Sequence, residues 1–148
     1  MHPNAPAYDQ QPWTRHYGDA IVIQLPPLRH ANLAELLRAS EERYAGQIAF
    51  TTCMPNGMNG SLSYAQVARY SDAFAVYLRE CVGLAPGARV AVQMPNCLAY
   101  PVAAFGVLKA GCVLVNTNPL YTSTEMEQQF KDSGAQAAIP RGVIRLVM

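Results

Sequence analysis

An alternation of strands and helices between residues 89 and 139 constrains the fold more than any other feature of the chain. Residues 89–94 form a short, nearly continuous apolar run, which is typical of a strand buried on both faces. After it the pattern predicts a helix, a strand, a second helix and a last strand, over residues 96–110, 112–116, 122–134 and 135–139. This order predicts an α/β fold with a parallel sheet, right-handed crossovers and helices on both faces.

Local signals in the first half predict a helix followed by a β-hairpin. Asn32 and Glu35 are spaced to cap the start of the helix reciprocally, and Gly46 is placed to end it. A strand over residues 48–52 and the turn-rich segment 55–60 then predict the hairpin.

The second helix carries the clearest local signal in the chain. Ser63 and Gln66 form a capping box, and Gly83 marks the end of the helix. Its tyrosines could form a stacking platform, but their helical spacing favours packing against a core or a domain interface. The side chains predicted to line one face are Val67, Tyr70, Phe74, Leu78 and Cys81.

The beginning of the chain has no sustained periodicity. Residues 1–27 are rich in proline and glutamine and are predicted to be an irregular leader, in which residues 20–23 could be a strand or docked chain. The leader has no apolar core of the kind that a signal peptide carries. The most membrane-like stretch, residues 98–115, is interrupted by a proline and two glycines, which predicts a buried helix and a strand instead of a transmembrane segment.

Charge and cysteine content exclude several function classes. The formal net charge is +1 and no run of basic residues occurs, so neither a nucleic-acid interface nor attraction to an anionic membrane is indicated. Charged residues make up 14% of the chain against about 25% in typical domains, which favours a largely covered surface. The four cysteines form no C-x-x-C pair and are interpreted as reduced thiols used as small hydrophobes, which predicts a cytoplasmic location.

The sequence assigns no catalytic, cofactor-binding or metal-binding residue. The histidines at positions 2, 16 and 30 have no nucleophile near them in the sequence. Residues 106–111 have the glycine spacing of a phosphate loop, but Cys112 and Val113 follow where Lys and Ser or Thr are needed. Close packing and helix termination explain these glycines better.

Two further groups of polar residues are candidates for a catalytic or ligand-binding site. Glu41, Glu42, Glu125 and Glu127 are predicted on solvated helix faces, with Glu125 also available as the capping partner of a helix. Residues 116–122 follow the carboxyl end of a strand, where open α/β sheets bind ligands. The alternative, which the sequence favours, is a proline-ordered turn leading into the next helix.

Several blocks of sequence carry a resemblance to a known family. Residues 90–96, 100–111 and 115–122 resemble bacterial long-chain fatty acid–CoA ligases of the adenylate-forming (AMP-binding) superfamily. Leu62-Ser63-Tyr64 resembles the first core motif of that superfamily, and residues 43–50, 125–127 and 132–135 also fit. The resemblance covers residues 28–139 and implies a partial N-terminal subdomain of the adenylate-forming enzyme fold, with a parallel sheet, flanking helices and a β-hairpin.

The resemblance implies an activity for the whole family enzyme. ATP and a fatty acid give an acyl-adenylate and pyrophosphate, and CoA then displaces AMP to give acyl-CoA. The implied cofactors and partners are ATP, Mg²⁺, CoA and a fatty acid, with no nucleic acid, and peripheral association with the inner face of a membrane is left open. The phosphate loop, acidic motifs and catalytic lysine of the family match nothing in residues 1–148, so no catalytic residue is carried over.

The end of the chain departs from the family pattern. Residues 1–27 are predicted to be a leader, 28–139 the ligase-like region and 140–148 a divergent tail, in which Pro140 would interrupt a central strand. A truncated or frameshifted reading frame, inactive alone, is therefore expected. Two alternatives stay open: a small non-enzymatic α/β module that binds at residues 116–122, and a remnant without function whose sheet has an exposed edge.

Overall fold

A computed structural model describes residues 12–18, 27–57 and 59–140. After a short 3-10 helix, Pro12–His16, these residues form four α-helices and five strands. The strand considered at residues 20–23 and the tail 141–148 lie outside the described residues. The elements are α1 (Leu33–Arg43), β1 (Ile48–Cys53), β2 (Asn59–Ser63), α2 (Tyr64–Val76), β3 (Arg89–Gln93), α3 (Ala99–Lys109), β4 (Val113–Thr117), α4 (Ser123–Ser133) and β5 (Ala137–Pro140).

The predicted parallel sheet is confirmed, with the strand order β4-β3-β5. Strand β3 lies in the middle and pairs in parallel with both neighbours. Its residues Val90, Ala91 and Val92 are at most 1% exposed. Because successive side chains of a strand point to opposite faces, both faces of β3 are covered. Pro140, expected to interrupt a central strand, is the last residue of β5 and pairs opposite Gln93 at the end of the ladder.

The predicted hairpin is also confirmed. Strands β1 and β2 pair antiparallel, and Thr51 faces Ser61 across the pair with their hydroxyl oxygens 2.8 Å apart. Leu62 of β2 is buried in a small cluster with Val67 and Val102, which fixes the hairpin against α2 and α3.

The main core lies between the sheet and the α2–α3 pair. Phe74 of α2 and Leu78 of the turn that follows it pack there with Val107 of α3 and with Val90 and Val92 of the sheet. The two helices approach closely at a glycine of α3, for which the sequence predicted close packing. A methyl group at Gly106 would lie 2.7 Å from Phe74 Cδ1 and 3.1 Å from the Ser71 carbonyl oxygen.

The glycines that resemble a phosphate loop therefore have structural roles. Gly106 lies inside α3, and Gly111 follows the end of that helix with φ of +73°. That left-handed conformation is one that glycine adopts without steric cost, so this segment terminates a helix and does not cradle an anion.

Three expectations about individual residues are wrong. Glu41 was predicted on a solvated face but is 7% exposed, because it pairs with the buried Lys109 ammonium. Cys81 was predicted on the buried face of α2, but the helix continues as a π-helical turn, Tyr77–Cys81, which leaves this thiol exposed. Cys53 is likewise exposed, at the end of β1. Of the four cysteines, Cys112 is buried and Cys97 is half-buried, so the role of a small buried hydrophobe is confirmed for Cys112.

The start of α4 follows the predicted capping box. The Thr122 backbone N–H donates to Glu125 Oε2 at 2.8 Å, and the Thr122 hydroxyl donates to the same oxygen at 2.7 Å. In return, the Glu125 backbone N–H donates to Thr122 Oγ1 at 3.4 Å. The backbone bond first, and the hydroxyl bond second, lower the pKa of the Glu125 carboxyl below its usual value.

Substitution of Gly106 by alanine tests the close approach of α2 and α3. The added methyl would overlap Phe74 and the backbone of α2, so we expect Gly106→Ala to lower the free energy of unfolding by about 1–3 kcal/mol. Gly46→Ala is the matched control, since nothing lies within 4 Å of that position and its φ is not positive. Chemical denaturation of both variants measures the difference, and equal stabilities would contradict the packing.

Titration of Glu125 tests the cap of α4. Because its pKa is lowered in the folded chain, its contribution to stability is present above the unfolded pKa and is lost as the pH falls through the folded pKa. We expect an NMR titration of the Glu125 carboxyl to give a midpoint below about 4.3. Thr122→Val keeps the backbone donor and loses the hydroxyl, so the midpoint should rise only part of the way. A wild-type midpoint at or above the usual value would refute the cap.

Candidate functional site

The carboxyl ends of the three parallel strands form one edge of the sheet. Gln93, Thr117 and Pro140 are register partners at the ends of β3, β4 and β5. The segment leaving β3 runs into α3, which shares the main core with α2, whereas the segment leaving β4 runs into α4, whose Met126 contacts Gln93. The two segments therefore go to opposite faces of the sheet. Open α/β sheets bind ligands in the crevice at such a switch point.

The turn over residues 116–122 lies at this crevice and is held from both sides. The Tyr100 hydroxyl of α3 donates to Asn116 Oδ1 at 2.8 Å, and the Gln129 side chain of α4 donates to the Asn116 carbonyl at 2.9 Å. Within the turn, the Leu120 backbone N–H donates to Asn118 Oδ1 at 3.0 Å. The preferred interpretation of an ordered turn leading into the Thr122 cap is confirmed, and a ligand-binding role for it stays a prediction.

The turn presents both polar and apolar groups. Thr117 is 4% exposed, and its hydroxyl has no hydrogen-bond partner within the part of the chain that the structure describes. Beyond it, the Leu120 side chain is 86% exposed and that of Tyr121 is 36% exposed. The backbone N–H groups of both residues donate within the turn, Leu120 to Asn118 Oδ1 and Tyr121 to the Asn118 carbonyl, so the turn holds the two exposed side chains next to each other.

A cleft of about 400 Å³ adjoins the same edge of the sheet. One wall is formed by residues 50–53 of β1, and the other by residues 96–98 together with Tyr100 and Pro101. Tyr100 therefore belongs to the cleft and also holds the turn through Asn116. The hairpin, the start of α3 and the turn are thus parts of one surface.

The cleft is lined by two free thiols, Cys53 and Cys97, but its described lining includes no histidine and no carboxylate. His16 lies in the short 3-10 helix, and His30 lies before α1 with its Nδ1 3.7 Å from Glu35 Oε1. Cys112 precedes β4 at the opposite edge of the sheet, and burial raises the pKa of its thiol, partly offset by the charge of Arg79. Among residues 12–18, 27–57 and 59–140, no group of three or more His, Cys, Asp or Glu side chains could hold a metal ion.

Two residues that build this site carry no signal in the sequence. Tyr100 looks like one more apolar residue of a buried helix, and Gln129 looks like a solvated residue of an exposed one. Both bond to Asn116, which lies 16 and 13 residues away along the chain. Only the crossovers of the parallel sheet bring these groups together. Separately, none of the described helices is long and apolar enough to cross a membrane.

Several curated proteins are similar to this chain over most of its length. A long-chain-fatty-acid–CoA ligase of Haemophilus influenzae is 49% identical over 127 residues, and one of Salmonella typhimurium is 43% identical over the same length. A ligase of the same name from Bacillus subtilis is 34% identical over 130 residues. These alignments cover 86–88% of this chain and 22% of each relative. The chain therefore spans about a fifth of the length of the relatives it matches.

Solved structures share the fold. A benzoate CoA ligase from Burkholderia xenovorans matches 80% of this chain and 23% of its own with a TM-score of 0.64 and 30% identity. A fatty acyl-adenylate ligase from L. pneumophila matches 84% of this chain and 25% of its own with a TM-score of 0.72 and 18% identity. A family model described as AMP-binding enzyme matches residues 37–145, most of the chain. The chain belongs to the family of AMP-binding enzymes.

Proposed function

We propose that this chain is the N-terminal scaffold of an AMP-forming long-chain fatty acid–CoA ligase. The observation that carries the proposal is the 42–49% identity to ligases of that name over 127 residues. The proposal assigns residues 28–139 to the ligase-like region, 1–27 to a leader and 140–148 to a tail. The whole ligase converts a fatty acid, ATP and CoA into acyl-CoA, AMP and pyrophosphate.

The described residues do not fit the phosphate and metal groups of that reaction. In nucleotide sites Mg²⁺ is held by one or two carboxylates together with phosphate oxygens and water, and the acidic motifs of the family match nothing in residues 1–148. The glycines at residues 106 and 111 are used for helix packing and helix termination. In this proposal, ATP, Mg²⁺ and CoA are therefore held by parts of the ligase other than these residues.

The contribution of this chain to the ligase is positional. The fixed turn at residues 116–122 and the adjoining cleft present a preformed edge, with Leu120 and Tyr121 exposed. Catalysis by positioning requires reacting groups held to within fractions of an ångström. A surface tied to helices on both faces of the sheet supplies such a rigid base for the remaining parts of an active site.

The proposal predicts that the 148-residue chain alone is inactive. Because the phosphate loop, acidic motifs and catalytic lysine of the family match nothing in residues 1–148, we expect no fatty-acid-dependent exchange between ATP and labelled pyrophosphate. A full-length relative, such as the ligase of Haemophilus influenzae, is the positive control. Exchange by the purified chain would contradict the scaffold role. A rise in melting temperature with ATP or a fatty acid, without exchange, would favour a binding module at residues 116–122 instead.

The same proposal includes a cytoplasmic location with peripheral contact to a membrane. Four free thiols support a reducing compartment. Exposed leucines near the start of α1 support the membrane contact, since Leu28, Leu33 and Leu36 are 91%, 57% and 42% exposed.

Vesicle flotation tests the membrane contact. With vesicles of zwitterionic phosphatidylcholine, we expect the chain to float with the lipid, and the double variant Leu33→Gln, Leu36→Gln to float at least severalfold less. Val76→Gln is the control, since Val76 is an equally exposed residue on α2, at 59%. Absence of flotation, or equal loss in the control, would exclude contact through α1.

A further inference from the structure

A buried ammonium group joins three helices away from the candidate site. Lys109, the last residue of α3, has a side chain that is 1% exposed. Its Nζ donates to Glu41 Oε2 of α1 at 2.8 Å and to Ser71 Oγ of α2 at 2.9 Å, and it forms an ion pair with Asp72 Oδ1 of α2 at 2.9 Å. An ammonium has three N–H donors, and three oxygens lie within 3 Å of this one.

Among the described helices, α1 depends most on this cluster for its attachment. Glu41 is the one buried residue of α1, while Leu33 and Leu36 are exposed and Ala34 and Leu37 are half-buried. The fully buried contact that holds the middle of α1 is therefore an ion pair, and its apolar side chains are buried only in part. The opposite holds for α2 and α3, each of which buries several apolar side chains in the core.

The carboxyl end of α1 is tied down separately. The Tyr64 backbone N–H donates to the Gln47 carbonyl, and that of Ala65 donates to the Ala45 carbonyl, both at 3.0 Å. The rings of Tyr44 and Tyr64 are also in contact, with centroids 5.6 Å apart. These contacts do not involve the cluster, so they would persist if the helix before them moved.

We propose that Lys109, Glu41, Ser71 and Asp72 form a latch whose loss releases α1 locally, about the chain at residues 44–47, and leaves the α2–α3 core folded. Removing one partner of a buried pair leaves an uncompensated buried charge, which is strongly destabilising. Moving α1 into water rehydrates Glu41 while giving up few apolar contacts. This inference is independent of the ligase proposal.

The surroundings of the latch favour such a movement. A cleft of about 300 Å³ opens beside it, lined by Arg38 of α1 and by Asp72, Arg79 and Glu80 on the α2 side. Opening would therefore separate charged groups that water can already approach. The Glu41 Oε1 atom has no hydrogen-bond partner among the described residues, so hydration of this oxygen adds to the gain on release. Helix α1 runs into β1, which forms one wall of the candidate cleft.

Hydrogen exchange on the full chain tests the latch. In Lys109→Met, we expect the backbone amides of residues 37–43 to exchange about a hundredfold faster, because a released helix of eleven residues is not stable in water. Amides of β3 should accelerate at most about tenfold. Lys131→Met is the matched control, since the Lys131–Glu127 pair is exposed, with side chains 75% and 63% accessible, and should leave α1 unaffected.

Two further measurements keep the test decisive. If Lys109→Met does not fold, Glu41→Gln is read by the same criterion, which is faster exchange in α1 than in β3. In the wild-type chain, the backbone amides of α1 should exchange faster than those of β3. We expect 1 M salt to leave the exchange rate of the α1 amides unchanged, because salt screens buried ion pairs weakly. Equal acceleration of α1 and β3, or an unchanged α1, overturns the latch.

Discussion

The burial of β3 on all sides is the constraint on which the rest of the structure depends. Val90, Ala91 and Val92 are shielded by neighbouring strands at both edges and by packed side chains on both faces. A parallel strand cannot be paired through a tight hairpin turn, because each parallel connection needs a crossover. Because these crossovers are right-handed, the chain passes over one face of the sheet to reach β4 and over the other to reach β5. The switch point at the carboxyl edge, with its turn and cleft, is a consequence of pairing β3 with a parallel strand on each side.

The close contact between α2 and α3 follows from the same requirement. Both helices have to fit over one face of a narrow sheet, and Gly106 allows their backbones to approach. The same approach brings the end of α3 beside Ser71 and Asp72, so the Lys109 ammonium is drawn into the interior. A buried ammonium requires compensating groups, and Glu41 of α1 supplies the remaining one. The position of α1 thus depends on the Lys109 ammonium, which is buried where α3 packs against α2.

Features that depend on neighbours within a few residues could be predicted from the sequence. The caps at Ser63 and Thr122 join residues three apart, and the left-handed glycines at positions 83, 111 and 134 follow helix ends. The parallel sheet follows from the order of such elements. The burial of Glu41 could not be predicted, because its partner Lys109 is 68 residues away and a carboxylate at that spacing resembles a solvated one. The π-helical turn at Tyr77–Cys81 likewise depends on how the end of α2 packs, which local periodicity does not encode.

The candidate site shows the same division between local and distant contacts. The order within residues 116–122 follows from local chemistry, an Asn side chain bonding its own turn and a Thr capping the next helix. Its attachment to Tyr100 and Gln129 comes from opposite faces of the sheet. A shift of α3 or of α4 would therefore move the turn through one hydrogen bond to Asn116, from Tyr100 or from Gln129. The position of the turn is therefore fixed by contacts with both faces of the sheet and not by its local sequence alone.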